Sequence, residues 1–69
     1  MTPAEVKQMV EEVAQTYDKY DDDERCHSMQ DGIYEALLEA IADGSATDPA
    51  GCAREALEIK RIEFARWYA

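Results

Sequence analysis

Histidine occurs once in this 69-residue chain, cysteine and proline twice each, glycine three times, and seven basic residues stand against sixteen acidic ones. Each scarcity closes off a class of function. The one histidine, His27, cannot be combined with any recognisable serine nucleophile motif, and three scattered glycines make no phosphate-cradling loop. No apolar run approaches the roughly 20 residues that cross a bilayer. The first residues lack the basic, then apolar, then small order of a signal peptide, so the expected location is cytoplasmic. In that reducing compartment Cys26 and Cys52 are expected as half-buried thiols and not as a disulfide. The shortage of lysine and arginine leaves a net charge of -9, a field that repels nucleic acid and anionic lipid. Neither is an expected partner.

Apolar residues make up 46% of the chain, enough to build a core although one residue in three is charged. At this length a folded chain buries only about 60% of the surface its unfolded form exposes, which leaves no room for a deep substrate cleft. One domain spanning residues 1–69 is expected, with little stability in reserve. Its charge is uneven. Met1 to Asp48 holds thirteen acids and three bases, whereas Pro49 to Ala69 holds three acids and four bases.

Periodicity and capping signals predict an all-α fold, a small antiparallel three-helix bundle with helices over about 3–20, 23–42 and 49–67. Thr2-Pro3-Ala4-Glu5 is a capping box with proline at the first helical position. Val6, Met9, Val10, Val13, Tyr17 and Tyr20 then recur at three- and four-residue steps as one apolar stripe. Asp21 to Glu24 breaks that pattern and offers carboxylates to cap a second helix. The stripe of that helix is Cys26, Met29, Ile33, Leu37, Ala40 and Ile41, with Tyr34 and Leu38 on its shoulder, and Gly44 suits the left-handed residue after its end. Gly32 in its middle costs up to about 1 kcal/mol against alanine, so it is read as a close helix crossing. Asp48 and Pro49 start the third helix. Ala53, Leu57, Phe64 and Tyr68 fall on one of its sides and Cys52, Ala56, Ile59 and Ile62 on another, which suits a helix wedged between the other two or shared with a second copy of the chain. Both loops are short enough for antiparallel neighbours.

Little in the chain points to catalysis, a metal or a cofactor, and none is expected. Cys26 and His27 are adjacent, and adjacent helical residues point about 100° apart, which does not make a dyad. Cys26, His27, Cys52 and a carboxylate lack the paired spacing of a zinc site. Counted from Asp21, the sixth position of a calcium loop is Cys26 in place of glycine and the fifth is Arg25.

The informative pattern is a row of like charges: Asp31, Glu35, Glu39 and, at its edge, Asp43 stand at four-residue steps with no basic residue in the row. Such pairs destabilise a helix by a few tenths of a kcal/mol each, so the row works against folding. One charge about every 6 Å is about half the density of a DNA strand, and the Asp21 to Glu24 cluster with the acids of the first helix narrows the gap. Phe64 to Tyr68 is the second pattern, because Trp, Tyr and Arg are enriched among interface hot spots. The candidate partner-binding residues are therefore Asp31, Glu35, Glu39, Asp43, Asp22 and Asp23, together with Ile62, Arg66 and Trp67.

In size, charge and helicity the chain resembles the small acidic inhibitors that bacteriophages direct at host nucleic-acid machinery, anti-CRISPR proteins among them. The likeness is one of class and carries no residue correspondence. It implies a non-enzymatic protein that occupies a basic surface of a nucleic-acid-handling partner, with the acids giving steering and the third helix giving contact area. The alternative is a structural or adaptor module that forms a homodimer through its third helix, its acidity serving solubility alone.

Overall fold

Two reciprocal hydrogen bonds start the first helix. The Glu5 amide donates to Thr2 Oγ1 at 3.2 Å and the Thr2 amide to Glu5 Oε1 at 2.9 Å, with Pro3 at the first position, where a missing N–H costs nothing. In the computed structural model, which describes residues 1–66, this helix is α1, Pro3–Tyr20. Asp21 ends it by taking a left-handed conformation (φ 48°) and donating its N–H to Tyr17 O at 2.9 Å. Asp22 then caps α2, Asp23–Ala42, by accepting from the Arg25 amide at 3.0 Å. Gly44 (φ 80°) follows α2. Its N–H donates to Ile41 O at 3.3 Å and that of Ser45 to Ala40 O at 2.9 Å, the bond pair of a Schellman turn. Asp48 accepts from the Gly51 amide at 3.1 Å and starts α3, Pro49–Leu57. The described chain is an all-α, three-helix bundle without strands, 34 × 24 × 14 Å along its principal axes.

The third helix stops ten residues short of the expected position 67. After Leu57 the chain tightens into a 3-10 turn, Glu58–Arg61, and Ile62 is extended (φ -81°, ψ 124°). The reason lies in Phe64. Seven residues on, a continued helix would point it within about 20° of Leu57, a side so open that Leu57 is 55% exposed. Leaving the helical path turns Phe64 inward instead, where it is 2% exposed and its ring lies 6.4 Å from that of Tyr17. Side chains then hold the departing backbone. Tyr17 OH donates to Glu63 O at 3.1 Å, and the Ala65 amide donates to Asp23 Oδ1 at 3.0 Å. Arg66 donates to Gln30 Oε1 at 3.0 Å, Phe64 O at 3.2 Å and Ile59 O at 2.6 Å. These bonds supply the partners that a terminating helix and a buried glutamine need.

The core is Val6, Val10 and Val13 from α1, Cys26, Ile33 and Leu37 from α2, Cys52 and Ala56 from α3, and Ile59 and Phe64 beyond it. Three expectations are corrected here. The shared element is α1, which packs most extensively on α3 and next on α2, so α3 is not the wedge. Gly32 marks no crossing, since it is exposed and a Cβ there would meet nothing within 4 Å. The close approach is at buried Gly51, where a Cβ would run into the Asp48 carboxylate and lie 3.0 Å from Pro3 Cγ. Finally, Ile41 and Tyr20 leave their stripes for the surface, at 41% and 55% exposed. Tyr20 lies under two cations, with Lys19 Nζ 5.2 Å and the Arg25 guanidinium 5.4 Å from its ring centre.

Candidate functional site

Helical spacing puts Asp31, Glu35, Glu39 and Asp43 on the outer side of α2, and all four are exposed, whereas Cys26, Gln30, Ile33, Leu37 and Ala40 of the same helix are buried. Among the described residues no lysine or arginine forms an ion pair with any of the four. Asp31 lies at the end nearest His27, whose Nε2 is 3.7 Å from Asp31 Oδ1, a contact that is ionic only while the imidazole is protonated. At the other end Asp43 is tied to the turn after α2. Hydrogen bonds from Ser45, its hydroxyl first and its backbone N–H second, hold the Asp43 carboxyl below its ordinary value, the amide contact being 2.8 Å. Glu35 and Glu39 are thus the centre of an unneutralised anionic face.

The remaining sequence candidates have partners inside the chain. Asp22 caps α2 and Asp23 holds the Ala65 amide. Ile62 is half-buried against the core. Arg66 is half-buried, bonded to Gln30 and two carbonyls, with its guanidinium 3.9 Å from the Phe64 ring centre. Trp67 lies outside the described residues.

Cys26 and His27 diverge, the thiol donating to Val13 O at 3.8 Å while the imidazole turns to Asp31. Burial pushes the Cys26 thiol pKa up, and the Asp22 and Asp23 carboxylates add to the shift, so the thiolate that nucleophilic chemistry requires is disfavoured. Cys52 is also a free, buried thiol, 3.3 Å from Thr47 O. Among the described residues no group of three His, Cys, Asp or Glu side chains is arranged to hold a metal ion. No helix there is long and apolar enough to cross a membrane.

Where α2 and α3 meet, an open groove of about 310 Å³ is lined by Tyr34, Leu37, Leu38, Ala53, Ala56 and Leu57. Leu38 and Leu57 stand at its rims, 66% and 55% exposed. Past Leu57 the surface turns cationic, as Arg54, Lys60 and Arg61 surround a shallow depression with Leu57 and Glu58. Arg61 Nε pairs with Glu58 Oε2 at 2.8 Å. Sequence reading missed this groove. Its signals were the Tyr34 and Leu38 shoulder of α2 and the Ala53 and Leu57 side of α3, which became one feature only when the two helices were placed side by side.

Comparison of the chain with known protein families, with curated proteins and with solved structures gives no match.

Proposed function

We propose that the chain is a non-enzymatic binding protein whose outer α2 face docks on a basic surface of a nucleic-acid-handling protein. One observation carries the reading: Glu35 and Glu39, flanked by Asp31 and Asp43, form an exposed row that no lysine or arginine of the described chain neutralises. A row of this kind raises the free energy of the helix that bears it. A partner's cations remove that repulsion on binding, so complex formation releases a strain the isolated fold carries. The face acts chiefly on encounter, since long-range attraction sets association rates more than residence times. Of the nine sequence candidates, Asp31, Glu35 and Glu39 carry this role. Asp43 adds charge at the edge, and Asp22, Asp23, Ile62 and Arg66 serve it only by holding the fold.

Affinity capture from the cytosol of the source cell tests the reading. The immobilised chain should retain a basic nucleic-acid-handling protein at low salt and release it as salt shortens the screening length from about 30 Å at 0.01 M to about 3 Å at 1 M. The D31N/E35Q/E39Q variant should retain much less. Equal capture by both forms, indifferent to salt, contradicts the proposal.

A further inference from the structure

We infer that the α2–α3 groove is the seat of a second copy of this chain, joined about a two-fold axis that runs along the seam between the helices. This goes beyond the acidic-face proposal and centres on the apolar groove, although it shares Asp31 and Glu35 with that face, so a second copy and a basic partner compete for this edge of α2. The groove's lining is apolar throughout, and its two rim leucines are each more than half exposed in a chain that buries Val6, Val13 and both cysteines completely. Something has to cover such rims if they are to be stabilising, and the walls outside them say what.

The walls carry opposite charge. On the α2 side, Asp31 follows Leu38 by about 20° around the helix and Glu35 by about 60°, and both are exposed. On the α3 side Arg54, Lys60 and Arg61 stand around Leu57. A surface with an anionic wall, an apolar floor and a cationic wall is complementary to itself when turned over. A two-fold axis along the seam lays α2 of one copy over α3 of the other, so each anionic wall meets a cationic one and Leu38 approaches the other copy's Leu57. An axis across the seam would stack anionic wall on anionic wall. The self-complementarity that a closed two-fold interface demands is therefore met in one orientation only.

A wholly basic partner fits this groove less well, because it would have to lie along Arg54, Lys60 and Arg61. The charge of -9 on each copy opposes association at long range, but at about 0.15 M salt the screening length is about 8 Å, and the local wall-to-wall attraction decides. Glu39 and Asp43, further round α2, stay outward, so the dimer displays two acidic faces.

Sedimentation equilibrium of the whole chain at physiological salt should show a monomer–dimer equilibrium. L38D and L57D, both at exposed positions, should keep the helical circular dichroism and the melting temperature of the monomer while weakening self-association at least tenfold. The decisive arm uses charge inversion. R54E/K60E and D31K/E35K should each be monomeric alone, because each makes both walls alike, and should form a heterodimer when mixed. A wild-type chain that stays monomeric at high concentration overturns the inference, as does a dimer indifferent to L38D and L57D. So does a monomer whose groove binds a basic amphipathic peptide in a manner abolished by L38D, which assigns the groove to a foreign helix.

Discussion

The two flanks of α3 are built differently. Toward α1, Cys52 is fully buried in the core to which Val6, Val10 and Val13 belong, and buried Gly51 lets the start of α3 approach Pro3. Toward α2, the same helix meets Tyr34, Leu37 and Leu38 and leaves an open apolar groove. Small side chains allow close approach on the first flank, whereas large leucines hold the helices apart at the rim of the second. A chain of this size has too little core to close both, and the chain after Leu57 goes to sealing the bundle against α1 and the first half of α2, away from the groove. Phe64 fills the space beside Tyr17, and Arg66 ties the 3-10 turn to Gln30. The open flank and the acidic back of α2 are what the described chain leaves uncovered.

The largest expected contrast lies between the closed core and the rim. Ile33→Ala removes a side chain that is 8% exposed and should destabilise by about 2–5 kcal/mol. Leu57→Ala at the rim should change the stability of the monomer by less than about 0.5 kcal/mol. Chemical denaturation at concentrations too low for self-association checks both. Equal effects would mean that the groove is part of the core.

Next in size is the segment after α3 that ties the 3-10 turn to α1 and α2. Arg66→Ala leaves Gln30 Oε1 and Ile59 O without their donor, and the loss of partners for such buried groups costs about 1–3 kcal/mol. Hydrogen exchange should quicken in residues 59–65 and in Tyr17 contacts before it does along the acidic row. Uniform quickening would place the tail's role elsewhere.

Glycine substitutions sharpen the contrast between flanks at about the 1 kcal/mol level. Gly51→Ala should destabilise by about 0.5–2 kcal/mol by displacing the Asp48 cap. Gly32→Ala, on an exposed helical position with open space, should stabilise by up to about 1 kcal/mol. Thermal melts of the two variants should move in opposite directions.

These last two positions show what was legible in the sequence. The helix starts and the end of α2 were, because Thr2 with Glu5, Asp48 with Pro49, and Gly44 act through residues a few positions away. The roles of Gly32 and Gly51 were not, since they depend on which helix lies opposite. The end of α3 was equally hidden: residues 58–66 hold no glycine or proline, and the helix yields only because Phe64 and Arg66 find better partners on α1 and α2. The acidic row could be read from four-residue spacing on one helix. The groove needed two helices, and the occupant of either surface is a property of a second molecule.

The smallest expected effect is the pH dependence. Cys26 and Tyr17 keep their protons to higher pH in the folded chain, both chiefly through burial. The unfolded chain releases them first, so their contribution is complete below the ordinary thiol and phenol values and declines as pH rises past them. Asp43 has the opposite sign: its lowered value contributes stability above the ordinary carboxylate range, lost as pH falls through the folded value. Melting temperature should decline on the alkaline side, and Cys26→Ala should flatten that slope whatever it does to the maximum.

The central claim is that the outer face of α2 carries strain for the sake of a partner, and the most direct measurement pairs the stability of D31N/E35Q/E39Q with its association rate for the captured partner. The account predicts an equal or slightly higher melting temperature, because like-charge repulsion is relieved, together with slower association and a flatter salt dependence. A variant that gains stability yet associates at the wild-type rate at every salt concentration would contradict it.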